Sequence, residues 1–439
     1  MFTFKRLCAL SLSVSLSVSV LAACSFRTPD ADNSEVKVEA VTLTFYRYGP
    51  QLSDHDYTNY IVEPLKKKYP HITLERIDSS DGKPTIDELI TTGTRPDILF
   101  TGIEQFPKLK ELQLLADLTP AIRAASLDLS RYEPSTIEAI QAFGDGQSIY
   151  GLPLYLNPFA LFYNKTIFDQ FGVAYPTDQM TWEQAIALSK KIARVSEGQR
   201  YRGIDINSYE HLAGQVSATY YDAATNKATL ETPSWKRVFD TMNLITSIPD
   251  NLTPEGHYSG TITSFTKKRD VGMYLYWVNG MVKNLEELHR NGVPMDWDVV
   301  TVPVFTDSKP VGMQLDFHSL LVPFNSPHPK EAGMAVTFLA SEENQAVISR
   351  GRVSAIPSPA LRQNYGADIA TVKGTNIVQA LQMKPAPYPK VHPYDVIVKK
   401  QLNPLVSSVL RGEIDINTAL RTANEKANIE LSKQQPPAK

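Results

Sequence analysis

Val41-Thr42-Leu43-Thr44-Phe45-Tyr46 alternates apolar and β-branched residues, and it ends at Gly49-Pro50, so it reads as a β-strand closed by a turn. The segments downstream of this strand decide the fold class. Tyr57 to Lys68 has helical spacing at Tyr60, Ile61 and Leu65 and is halted by Pro70. Ile72 to Ile77 reads as a second strand, Ile86 to Thr92 as a short helix, and Pro96-Asp97-Ile98-Leu99-Phe100 as a third strand. Strands alternating with helices predict an α/β fold with right-handed crossovers and a largely parallel sheet.

Further along, Thr181-Trp182-Glu183-Gln184 is a capping box, which predicts a helix running through Arg194. Ser326-Pro327-His328-Pro329 starts another helix. Ser341-Glu342-Glu343-Asn344 opens the next, with acids in the first turn where the helix dipole favours them. No internal repeat is evident, and residues 434–439 read as a frayed tail.

The amino terminus carries a separate signal. Met1-Phe2-Thr3-Phe4-Lys5-Arg6 is a basic start, and Leu7 to Val20 is apolar but broken by five serines. That segment falls short of the roughly 20 apolar residues a membrane-spanning helix needs. Residues 1–23 therefore read as a cleaved secretion signal, ending in Leu21-Ala22-Ala23-Cys24. A small-small-Cys ending resembles that of bacterial lipoproteins, in which the cysteine takes lipid and becomes the first mature residue. Residues 24–40 then form a polar tether.

Two cysteines are present, and Cys8 leaves with the signal, so Cys24 is the only one expected in the mature protein and no intrachain disulfide can form. A mature chain of about 415 residues can bury two substantial cores. With Lys+Arg 44 against Asp+Glu 47 the net charge is −3, which supplies no basic field for nucleic acid. The 20 tyrosines supply flat amphipathic side chains able to stack and hydrogen-bond together.

Several segments in order resemble the extracellular solute-binding proteins of ABC importers, in the group that includes the maltose-binding protein. They are Arg95-Pro96-Asp97-Ile98-Leu99-Phe100, Tyr150-Gly151-Leu152-Pro153, Leu161-Phe162-Tyr163-Asn164-Lys165 with Gly172, Pro176 and Thr181-Trp182-Glu183, and Leu410-Arg411-Gly412-Glu413 followed by Ala419-Leu420. The resemblance covers nearly the whole mature chain. It implies two discontinuous α/β lobes joined by crossing strands, residues 41–151 with 304–350 in one and residues 152–303 with 351–433 in the other. The solute is then held between lobes that close about a hinge.

The resemblance also implies where to look for the site, because open α/β sheets bind ligands at the carboxyl ends of their strands. Tyr46 and Tyr48 leave the first strand at such an end, with one of them open to a core role instead. Glu104 follows the third strand, as a ligand acceptor or as an exposed helix-start acid. Tyr155 and Asn157 follow the crossing strand, Asn157 before Pro158 having a turn role as its alternative. Trp277, in Met273-Tyr274-Leu275-Tyr276-Trp277, is the main stacking candidate, with a core role as its rival. Asp316, Phe317 and His318 offer an acceptor, a ring face and a donor in one loop, and Asp205 and Asn207 are weaker candidates. Arg47 beside Tyr46 leaves room for an acidic sugar.

The sequence holds no Gly-x-Ser-x-Gly elbow, His-Glu-x-x-His, P-loop or Cys/His metal cluster. The expectation is a substrate-binding lipoprotein anchored at Cys24 outside the cytoplasm and working as a monomer without cofactor, metal or catalysis. It is expected to deliver a sugar or oligosaccharide to ABC transporter permease subunits. A secreted carbohydrate-active enzyme and a sensor or adhesin on the same fold are the alternatives.

Overall fold

The computed structural model describes residues 39–79, 83–143, 146–388 and 392–434. The signal segment, Cys24, most of the tether and residues 435–439 lie outside them. Two mixed sheets organise the described chain. The strands in order are β1 (Val41–Tyr48), β2 (Ile72–Asp78), β3 (Ile98–Gly102), β4 (Leu152–Asn157), β5 (Phe159–Asn164), β6 (Arg194–Ser196) and β7 (Gln199–Asp205). After them come a short hairpin of β8 (Tyr221–Asp222) and β9 (Lys227–Ala228), then β10 (Val271–Trp277), β11 (Trp297–Val300), β12 (Asp316–Leu321) and β13 (Val353–Ser354). One sheet has the order β13-β4-β12-β3-β1-β2 and the other β11-β5-β10-β7-β6.

The expectation of a largely parallel sheet is corrected. β1 runs parallel to β2 and β3, as the alternation of strand and helix predicts, but β12 is antiparallel to both β3 and β4, and β13 is antiparallel to β4. β12 and β13 enter only after the chain has visited the second sheet, so no local crossover sets their direction. In the second sheet only β7 and β10 are parallel. β4, which lies just past the expected lobe boundary at residue 151, is hydrogen-bonded into the first sheet, so the chain crosses at Pro158.

Motif residues hold this frame together. Asp97 is 1 % exposed and accepts from the Thr44 amide at 2.9 Å, the Ser326 hydroxyl at 2.7 Å and the His328 amide at 3.0 Å, which ties β1 to the start of the helix Pro329–Ala340. The capping box forms as read: the Thr181 hydroxyl accepts from the Gln184 amide at 3.2 Å, and the Gln184 side chain accepts from the Thr181 amide at 2.8 Å. That helix stops at Ile192, because Arg194 opens β6. Inside it, the Trp182 indole donates to Gln215, whose amide in turn donates to the Pro303 carbonyl, fixing the return path between the sheets.

One core lies under the first sheet and reaches one face of the second, through Phe162, Tyr274 and Val299. A second core fills the opposite face of the second sheet, with Trp182, Trp235, Phe239 and residues of the helices Asp395–Leu410 and Ile416–Ser432. Among the described residues no helix is long and apolar enough to cross a membrane.

Candidate functional site

The carboxyl ends of β1, β3 and β4 share one edge of the first sheet, and antiparallel β12 begins at that edge. In the second sheet the carboxyl ends of β7 and β10 lie beside the start of β5. Asn157-Pro158-Phe159 is the first and shortest connection between the two edges, because β4 ends at Asn157 and β5 begins at Phe159. Strand register then places the candidates in a row. Asp316 is opposite Asn157, His318 is opposite both Tyr155 and Gly102, and Trp277 is opposite Phe159.

On the first-sheet side this brings together Glu104, Asp316, His318, Tyr155 and Asn157. Asn157 donates to Asp316 Oδ2 at 3.0 Å, and His318 Nε2 lies 3.8 Å from the same oxygen. The Tyr155 ring meets the His318 ring at 5.0 Å between centroids. Glu104 stands exposed at the start of a helical turn, but its carboxyl is tucked back over Gly102, where any side chain would collide with it. Desolvation raises the Asp316 carboxyl to about 6 against the pull of the Asn157 hydrogen bond. Desolvation and then the Asp316 charge raise Glu104. Desolvation lowers the His318 imidazole to about 4, so the ring is neutral at pH 7.

Behind this face lies a buried ion pair that sequence reasoning missed. Arg352, just before β13, donates to Asp56 Oδ2 through Nε at 3.1 Å and Nη2 at 2.6 Å. Desolvation works against the Asp56 anion, but the neighbouring His55 ring, 3.6 Å from Oδ1, and the charge and bonds of Arg352 outweigh it and the carboxyl stays below its usual value. Tyr388, also missed, donates its hydroxyl to the Leu315 carbonyl, and its ring packs edge-on against Phe317 at 6.2 Å. No motif marks any of these residues, since the three segments meet only in the fold.

On the second-sheet side Trp277 is half-buried, with its ring 4.7 Å from Phe159, 5.0 Å from His211 and 5.3 Å from Tyr276. Trp277 Nε1 and His211 Nε2 are buried without hydrogen-bond partners. Desolvation lowers His211 to about 4, so this wall is aromatic and uncharged.

Several candidates are corrected. Tyr46 is fully buried in the first core, and its hydroxyl donates to the Pro84 carbonyl at 2.7 Å. Tyr48, two residues on along the same face, stacks on it at 5.9 Å and is only half-buried. Phe317 is fully buried, because strand alternation turns it away from the face that Asp316 and His318 share. Asn157 is 8 % exposed with both ends of its amide engaged. Asp205 is fully buried, bonded to Arg202 at 2.8 Å and accepting from the Asn207 and Gly260 amides. Arg47 is consumed by Asp78 at 2.8 Å and the Ser79 carbonyl at 2.7 Å, which leaves no guanidinium for an acidic sugar. No group of three or more His, Cys, Asp or Glu able to hold a metal occurs among the described residues.

A two-lobed α/β frame with a polar face and an aromatic face meeting at one short crossing defines a solute-binding architecture. The chain belongs to the bacterial extracellular solute-binding protein family, whose model matches residues 49–346. Solved structures share the fold. An ABC substrate-binding protein from Listeria monocytogenes in complex with cycloalternan matches at 19 % identity and a TM-score of 0.72, covering 90 % of this chain and 100 % of that one. The cyclic α-maltosyl-1,6-maltose binding protein of Arthrobacter globiformis matches at 18 % identity and 0.70 over 90 % and 100 %. A sugar transporter protein from Rhizobium etli in an open conformation matches at 20 % and 0.69 over the same shares.

Proposed function

We propose that this protein is the substrate-binding lipoprotein of an ABC importer, anchored through Cys24, and that it captures a neutral saccharide between its two lobes for delivery to the permease. The observation that carries this reading is the junction at Pro158, where the uncharged Trp277–Phe159–His211 wall meets the Glu104–Asp316–His318 face. An indole offers its face to the C–H surface of a sugar ring. Carboxylates accept hydroxyl protons in charge-assisted hydrogen bonds. Catalysis has no part in the reading, and fold likeness at these identities leaves the ligand to be argued from the site itself.

Arg47 and Arg352 are both tied to carboxylates, which favours neutral over acidic sugars. A thermal-shift panel of neutral, amino and uronic-acid saccharides tests it, because a ligand bound only by the native state raises the melting temperature. Stabilisation by neutral oligosaccharides and none by uronic acids is the expected result. Stabilisation by uronic acids alone overturns the assignment.

A further inference from the structure

Asn157 is the last residue of β4, and its side chain spans the crossing. Its Nδ2 donates to Asp316 Oδ2 at 3.0 Å, and its Oδ1 accepts from the backbone amide of Asn279 at 3.3 Å. Asn279 sits in the first turn of the helix Val278–Arg290, two residues beyond Trp277, and its own side chain donates back to the Leu156 carbonyl at 2.9 Å. The Val278 amide donates to the Pro158 carbonyl at 2.8 Å. The acid of the first lobe, the crossing and the turn just past Trp277 are thus joined by one amide group. A primary amide suits this place because it donates to a carboxylate and accepts from an N–H at once. Aspartate would set a second carboxylate against Asp316, and leucine would leave polar groups on both sides unpaired.

We infer that Asn157 is a positioning residue that clasps the two lobes at the crossing, orienting Asp316 and the turn behind Trp277 relative to each other. It rests on the two-lobed capture reading but does not itself meet the solute. At 8 % exposure, with one amide N–H given to Asp316 and Oδ1 taken up by the Asn279 amide, its place is in the frame behind the site. Proline at 158 stiffens the same point by fixing φ. Interlobe motion then has a defined polar latch beside the site.

The test needs no ligand, so its failure is separable from failure of the transport reading. The chain carrying Cys8→Ala and Cys24→Ala receives spin labels at Lys66→Cys and Lys190→Cys, exposed positions on helices that flank the first and second sheets. Pulsed dipolar spectroscopy then reads the distance distribution between the lobes. Asn157→Asp should broaden or shift that distribution. Adding Asp316→Asn should restore it, because the exchanged pair again offers one donor and one carboxylate while residue 157 keeps an acceptor for the Asn279 amide. A carboxyl-carbon NMR titration supplies an independent readout. The Asp316 midpoint should rise in Asn157→Leu, which loses the donor that favours the anion. The groups facing Asp316 (Glu104, His318 and Tyr388, with Tyr155 and the Asp56–Arg352 pair behind) stay unchanged. An unaltered distribution in folded Asn157→Asp, no recovery in the double variant, or an unmoved Asp316 midpoint overturns the clasp. If Asn157→Asp alone does not fold, restoration of both fold and distribution by Asp316→Asn supports it, and failure to restore them counts against it.

Discussion

His318 Nε2 lies 3.8 Å from Asp316 Oδ2, yet the two are not an ion pair at neutral pH, because burial holds the imidazole down to about 4 while it lifts the carboxyl to about 6. The two shifts act on stability in opposite directions. A carboxyl raised in the fold contributes stability that is full below its unfolded value and is lost as pH rises through about 6. An imidazole lowered in the fold contributes stability that is present above its unfolded value of 6.5 and is lost as pH falls through about 4.

Over pH 4 to 6 the two contributions largely cancel in the native protein. Asp316→Asn should unmask His318, so that the variant gains stability on the order of 2 kcal/mol as pH rises across this window. His318→Gln should show the reverse slope. Urea midpoints measured at several pH values check both, and parallel profiles for the two variants would contradict the pairing.

Trp277 separates stacking from packing. It is half-buried against Phe159 and His211 rather than sealed in a core. Trp277→Ala should therefore weaken saccharide binding by about 1–3 kcal/mol while leaving the ligand-free melting temperature nearly unchanged. A loss of about 3–5 kcal/mol in ligand-free stability would mark a core residue instead. Calorimetry alongside unfolding distinguishes them.

Asp56→Ala should cost about 3–5 kcal/mol, because it strands the Arg352 guanidinium in a site where that residue is 9 % exposed. Replacing both partners together, with Asp56→Leu and Arg352→Met, should recover much of that loss. Denaturant unfolding of the single and double variants reads the difference.

Cys24→Ala should release an otherwise intact protein from the membrane fraction, since Cys24 is the proposed acylation site. Full retention of the variant in membranes would rule out the lipid anchor.

Local signals in the sequence carry far in this molecule. The β1–β2–β3 unit, the Thr181 capping box and the Ser341 helix start are each built by residues close in the chain, and each forms where the pattern places it. Sheet direction beyond β3 was not legible, because β12 pairs with strands more than 150 residues earlier in the chain. The site divides in the same way. Glu104 follows a strand that periodicity locates. Trp277, Asp316 and His318 are reached through the family resemblance, with Asp316 and His318 lying in strand β12 rather than in the expected loop. Asp56, Arg352, Tyr388 and His211, by contrast, are brought in by long-range packing with no motif of their own. Tyr46 and Phe317 failed as cleft surfaces because alternation within a strand says that a residue faces one side or the other, not which side the second lobe covers.

Capture by closure of two lobes is the central claim, and small-angle scattering with a saccharide confirmed to bind tests it most directly. The account predicts a smaller radius of gyration at saturation with unchanged far-ultraviolet circular dichroism. A saturated protein whose radius of gyration equals that of the free form within error would contradict it.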